Sequence, residues 1–453
     1  MSPNGIPAAP IPGGTTRQGL NPMDIPRVLE ELYPPEELRS VAKKTGMFTR
    51  YRKVDPVQIF WVLILSFGVK IERTLAGIKR NYEEWTARDI SYGSWFERFN
   101  PELAAFLKAC VGIGLEKMAG MANRNLSDKL QRFRDILIQD STIIRLHEVL
   151  AKKFPATRSR KVAAGVKVSV LISAVANGPR TVTIHGERTG EVKTLHIGRW
   201  IKDRILLFDL GFFKFQLFAR IIDNGGYFVT RQKENADPIF LSSLKIHRGR
   251  AIDLTGKRWS EVMPRLQREV LDAEVEVSFS RRRYNGKSSK DTLNVRMVAI
   301  FNETDGKYHV YLTNIPSDVL CAEDISALYR VRWDIELVFK ELKSRYALDV
   351  VKTTKAYIVE CLIWTAILTM LVSRRLYSLL LSSAPREIRI RYTPLRWANT
   401  FSERSEMLLS SLKAHFGFGP KEDERFDRLA RLYERHTLDP HVNRHRLPDG
   451  WWA

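Results

Sequence analysis

The chain has 453 residues, 44% hydrophobic and 27% charged, a globular composition that excludes a wholly disordered chain and has room for two or three folding units. Its 73 Lys and Arg against 51 Asp and Glu leave a formal charge of +22, which calls for a polyanionic partner, nucleic acid first. Cys110, Cys321 and Cys361 are too few and too scattered for a disulfide framework or a zinc site, so a reducing, intracellular setting is expected.

Residues 1–25 are rich in Pro and Gly, lack the basic start and apolar core of a secretory signal, and read as a flexible leader. Over 26–130 the pattern is helical. LEELYPPEELRSVAKK, VDPVQIFWVLILSFGV, ERTLAGIKRNYEEW and SYGSWFERFNPELAAFLKACVGIGLEKM read as successive helices, with prolines marking some breaks. This region is expected to be a helical DNA-binding domain. Its ERTLAGIKRNY and SYGSWFERF segments suit either a helix-turn-helix or an ordinary bundle. The apolar stretches 57–69 and 357–372 fall short of the ~20 residues a membrane span needs, and are read as buried core helices.

From Asp135 the texture changes. ILIQDST, VKVSVLISAV, RTVTIHGER and RILLFDLG read as strands, FKFQLFARIID as a helix and GGYFVTRQK as another strand. Strand signals continue over 240–317, with turns expected at Asn285-Gly286 and Asp305-Gly306. Helix returns after Pro316 in EDISALYRVRWDIELVFKELKSRY, and residues 376–453 read as helical, then irregular. The expected class is α/β: a core over 131–239 and 318–375, interrupted by a β-rich insertion at 240–317.

On a helix at about 100° per residue, Tyr329, Arg332, Glu336, Lys340 and Lys343 fall within an arc of about 80°. Val331, Ile335, Val338 and Leu342 fall on the opposite side. One face thus carries a carboxylate flanked by three cations and a phenol. A solvated face with i,i+4 pairs is the plain alternative. Against it stand Asp140, closing the run ILIQD, and Asp209, closing ILLFD, each read as a carboxylate at the C-terminal end of a buried strand. Two such carboxylates and a helical one supply the oxygen donors that a pair of Mg²⁺ ions requires.

Tyr329, Arg332, Glu336 and Lys343 stand as Y-x2-R-x3-E-x6-K, which resembles the signature of insertion-sequence DDE transposases of the YREK group. LLFDLGFFKF and GGYFVTRQK are similar to that family's second-aspartate block and the strand after it. The resemblance spans 136–343. It implies an RNase H-like catalytic core and catalysis by Asp140, Asp209 and Glu336 on two Mg²⁺ ions, with Mn²⁺ able to substitute. It also implies binding of terminal inverted repeats and target DNA, action as a homodimer on paired ends, and a cytoplasmic, DNA-associated location. Arg332 and Lys343 would bind phosphates beside the cut, with Lys340 on the same face; Tyr329 is expected to contact the end phosphate. A non-catalytic domesticated DNA-binding protein and an RNase H-like nuclease that cuts without joining are the alternatives.

Arg231 and Lys233 either line the DNA channel or form a basic strand end. The runs Lys152, Lys153, Arg158, Arg160, Lys161 and Arg281, Arg282, Arg283 are phosphate contacts or solvated faces. Trp259 reads as a core or edge residue before a base-stacking one, and His436, His441 and His445 lack acidic or thiol partners for a metal. Asp135, Asp203, Asp223 and Asp334 compete as site carboxylates, with Asp334 pointing away from the polar arc.

Overall fold

The structure, a computed structural model, describes residues 19–48, 54–66, 74–119, 126–157, 163–244, 253–280, 289–349, 351, 353–418 and 424–439. Most of the expected leader, Arg158, Arg160 and Lys161, the run Arg281, Arg282 and Arg283, the Asn285-Gly286 turn, His441 and His445 lie outside the described residues.

Six helices open the chain: α1 (Asp24–Leu32), α2 (Pro35–Lys44), α3 (Pro56–Leu65), α4 (Leu75–Thr86), α5 (Tyr92–Phe96) and α6 (Pro101–Ala119). Their starts follow local chemistry. Asp55, Thr74, Ser91 and Asn100 accept backbone N–H bonds from Val57, Gly77, Ser94 and Leu103, and proline stands in the first turn of α2 and α3. All ten residues of α3 are buried, because the segment has no polar side to give to water. The five-residue α5 packs Trp95 on Tyr82 of α4, with ring centroids 5.3 Å apart.

Nine strands form one sheet: β1 (Asp135–Leu146), β2 (Ala164–Ser173), β3 (Gly178–Gly186), β4 (Arg204–Phe208), β5 (Tyr227–Arg231), β6 (Ile239–Ser243), β7 (Val270–Ser280), β8 (Lys290–Asn302) and β9 (Lys307–Thr313). Their order is β3-β2-β1-β4-β5-β9-β8-β7-β6. β1, β2 and β3 are antiparallel neighbours; β4 is parallel to β1, and β5 to β4 through the crossover helix α7 (Phe215–Asp223). This mixed α/β arrangement is consistent with the expected RNase H-like core. The strands within 240–317 extend that same sheet, with β9 pairing antiparallel to β5, and the short helix α8 (Trp259–Val262) buries Trp259 beside them.

One expectation fails in detail. β1 does not end at Asp140 but continues to Leu146, because Ser141 to Leu146 stay paired with β2. Pairing with β4 stops at Gln139↔Phe208, so Asp140 is the first β1 residue without a neighbour on that side. The two faces of the sheet are both covered, and side chains alternate between them. Ile136, Ile138, Ile144, Ile205 and Leu207 face one core, Leu137, Leu206 and Phe208 the other.

The remaining helices are α9 (Ala322–Arg330), α10 (Asp334–Ser344), α11 (Ala356–Ser383), α12 (Arg386–Arg389), α13 (Pro394–His415) and α14 (Glu424–Thr437). The single long helix expected around Glu336 is divided between α9 and α10 by a 3₁₀ turn, Val331–Trp333. α11 is longer than its apolar run suggested and crosses the expected boundary at 375, since Leu376 and Leu379 to Leu381 stay buried. By length and composition it could cross a membrane, yet 78% of its most apolar stretch is buried inside the protein. It packs with α1, α3, α6 and α13 in the core that also covers the first face of the sheet. Thr369 donates to the Ile64 carbonyl at 2.9 Å, and Trp85 to that of Leu409 at 3.0 Å, so the first and last helices share one interior.

Candidate active site

Asp140 and Asp209 lie side by side where the pairing of β1 with β4 stops. Each directly follows the last parallel register pair, Gln139↔Phe208, and each points to the face carrying Ile136, Ile138, Ile205 and Leu207. That is the crevice beyond the carboxyl ends of parallel strands, where an open α/β sheet presents its chemistry. Asp140 accepts the Ser141 N–H at 2.7 Å, and Asp209 accepts the Gly211 N–H at 2.8 Å.

Glu336 approaches from α10. Arg332, in the 3₁₀ turn, donates to Glu336 at 2.9 Å and lies 4.0 Å from Asp140, so one guanidinium links the helical carboxylate to the sheet. Val331, Ile335, Val338 and Leu342 are buried behind it, as their spacing predicted. Tyr329 donates to the Phe208 carbonyl, 3.4 Å away and one residue before Asp209, with Arg332 over its ring at 5.7 Å. Tyr311 of β9 stacks obliquely on Tyr329 at 5.3 Å, so the inserted strands help seat α9.

Burial pushes the Asp140 carboxyl up to about 7; the charges of Asp209 and Glu191 add to this, while the Ser141 N–H and Arg332 oppose it. Burial also pushes the Tyr329 phenol up to about 12, and the Asp209 charge adds, so it is a neutral donor at physiological pH. For Arg332 burial works against the charge, but Tyr329, Glu336 and Asp140 outweigh it and hold the guanidinium above its usual value. The cluster is thus a set of crowded carboxylates balanced by one arginine.

Arg231, at the end of β5, is close enough to favour the ionised Tyr329 electrostatically, and Lys233 lies 5.9 Å over the Phe213 ring. Lys343 lies two turns, ~10 Å, along α10 from Glu336. It is half-buried and Lys340 exposed, and neither has a hydrogen bond or ion pair to the three carboxylates among the described residues. Asp135 and Asp203 sit at the opposite ends of β1 and β4, bound to Ser173 and Arg134. Asp223 closes α7. Lys153 pairs with Glu360 of α11 at 2.6 Å, and His436 lies 3.3 Å from Arg404.

Two groups escaped the sequence reading. Glu191, in a 3₁₀ turn (Glu191–Thr194), accepts from Ser141 Oγ at 2.8 Å and pairs with Lys167 at 2.7 Å. Glu341 of α10, fully buried, is paired with Arg374 of α11 and accepts from the Tyr346 hydroxyl at 3.0 Å. Neither occupies a motif; only their distant cationic partners single them out.

Among the described residues no three Asp, Glu, His or Cys side chains already converge as an ion cage. The donor chemistry nevertheless suits a hard divalent cation: carboxylate oxygens, one of them destabilised as an anion, with Arg332 supplying the positive charge between two of them.

A family profile described as Transposase DDE domain matches residues 131–372. Over 380 residues the chain is 22% identical to the transposase for insertion sequence element IS1151 of Clostridium perfringens, covering 76% of this chain and 78% of that one. Over 369 residues it is 22% identical to the transposase for insertion sequence element IS231F of Bacillus thuringiensis subsp. israelensis, covering 74% and 75%.

Proposed function

Because the chain belongs to the Transposase DDE domain family, we propose that it binds the terminal inverted repeats of an insertion sequence, cleaves DNA at them and joins the freed ends to target DNA. The observation that carries this reading is the placing of Asp140 and Asp209 just past the last β1–β4 register pair, with Glu336 linked to Asp140 through Arg332. We further place the chain in the YREK group, on the residues Tyr329, Arg332, Glu336 and Lys343.

Asp140, Asp209 and Glu336 would hold the Mg²⁺ ions, with Mn²⁺ as a substitute. When bound, such ions supply Lewis-acid activation of a water or 3′-hydroxyl and stabilise charge on the departing oxygen. The chain's own residues do the rest. Arg332 and the Tyr329 hydroxyl orient the phosphate at the scissile bond, and Lys340, Lys343, Arg231 and Lys233 bind flanking phosphates. The same pocket serves hydrolysis and strand transfer, because both are displacements at phosphorus that differ only in the attacking hydroxyl. End recognition falls to the helices of 26–130. The protein acts in the cytoplasm on DNA, as a homodimer on paired ends.

The test is Glu336→Gln, which keeps size and hydrogen bonding but removes a carboxylate. Cleavage and joining of a plasmid carrying the element's own ends should fall at least about 100-fold while end binding persists. Wild-type cleavage by this variant refutes the site; cleavage without joining by the unaltered protein refutes the transposase reading in favour of a nuclease.

A further inference from the structure

Asp140 and Asp209 share one face of the sheet, and the residues that fix their carboxylates reach the other. Ser141, whose N–H holds Asp140, turns its side chain to the opposite face, where its hydroxyl donates to Glu191 at 2.8 Å. Gly211, whose N–H holds Asp209, has the Glu191 Cγ 3.0 Å from where a Cβ would stand. Glu191 therefore bonds the residue after Asp140 and leaves little room for a side chain at Gly211, two residues after Asp209.

Its own position is anchored. Lys167 of β2 places its ammonium 2.7 Å from Glu191 and 2.7 Å from the Thr189 carbonyl. The lysine side chain is only 6% exposed. The buried ammonium is thus satisfied by two oxygens, one of them the Glu191 carboxylate, which fixes where that side chain sits. The Glu191 charge also bears on Asp140 itself. The turn carrying Glu191 enters between β3 and β4, in the layer opposite α10.

We propose that Glu191 is a positioning residue for the cleavage site: from behind the sheet it holds the Ser141 hydroxyl and packs against Gly211, the two residues whose N–H groups aim Asp140 and Asp209. This rests on the proposed assignment of those two aspartates to metal binding. Glu191 is already committed to Ser141 and Lys167, so it sets where the carboxylates sit and does not itself reach the scissile phosphate.

The test uses the full chain with three substitutions, Glu191→Ala, Glu191→Gln and Asp140→Asn, each followed by Mn²⁺ titration, in which spin resonance reads the free ion, and by cleavage of end-bearing DNA. Glu191→Ala should weaken Mn²⁺ binding and slow cleavage by about 10- to 100-fold. Circular dichroism and end binding should stay those of the wild type. Glu191→Gln keeps an acceptor for Ser141 Oγ and Lys167 and should recover to within about fivefold of the wild type. If Glu191→Ala binds Mn²⁺ and cleaves as the wild type does, while Asp140→Asn loses both, the brace is refuted and the site stands. If Asp140→Asn also retains both, the site assignment itself fails. Equal loss in Glu191→Ala and Glu191→Gln overturns the positioning role, because the retained acceptor should have kept Ser141 in place. Should Glu191→Ala not fold, Ser141→Ala, which deletes one hydroxyl, must show the same weakening of Mn²⁺ binding, and wild-type binding there refutes the brace.

Discussion

Two glutamates on α10, five positions apart, meet opposite fates. Glu341 is fully buried, paired with Arg374, and bonded by Tyr346, whose hydroxyl also lies 2.7 Å from Ser373 Oγ. Glu336 is 36% exposed and, among the described residues, is paired with Arg332. The inner pair has every reason to stay closed. The outer one is half open to solvent, and the Arg332 that holds it also lies 4.0 Å from Asp140. A single helix thus carries an ion pair that locks it to α11 and, in the proposed function, a carboxylate that takes part in chemistry, and burial is what separates the two.

Breaking the inner pair should have the larger effect on folding. Arg374→Met leaves Glu341 charged and buried, and is expected to cost about 3–5 kcal/mol of stability by urea denaturation. Replacing Glu341 by Met as well should recover most of that loss, because the uncompensated charge is gone. The outer site should behave in the opposite way: Glu336→Gln, with its cleavage defect of about 100-fold or more, should leave the urea midpoint unchanged. Equal destabilisation by both substitutions would erase the distinction.

Asp135 sharpens the comparison from the far end of β1. It accepts from Ser173 Oγ at 2.7 Å and from the Val175 N–H at 3.3 Å, and burial raises its carboxyl above the usual range. Asp135→Ala should cost about 1–3 kcal/mol of stability, read in the same urea titration, with cleavage unaltered below the melting temperature. The smallest effect is expected at Tyr329. Its hydroxyl bond to Phe208 is long, at 3.4 Å. Tyr329→Phe should slow cleavage about three- to tenfold, measured as single-turnover rate, with no change in stability.

Much of this was legible in the residues. The strand runs around Asp140 and Asp209 and the buried side of α10 follow from apolar periodicity, which reports how each segment meets a core. Less visible was that β1 runs past Asp140, because Ser141 and Thr142 look like a turn until β2 supplies their partners. The 3₁₀ turn at Val331–Trp333 keeps Arg332 beside Glu336, so helical spacing put both on one face across a break it did not foresee.

The amino-acid order alone determined which segments are strands and helices and which side of α10 turns inward, since these depend on periodicities of two and 3.6 residues within short windows. Only the tertiary structure decided that the strands of 240–317 join the central sheet, that the first six helices share a core with α11 and α13, and that Glu191 and Glu341 find Lys167 and Arg374. Those outcomes depend on partners far away along the chain, and a charged side chain carries no local mark of the ion it will meet.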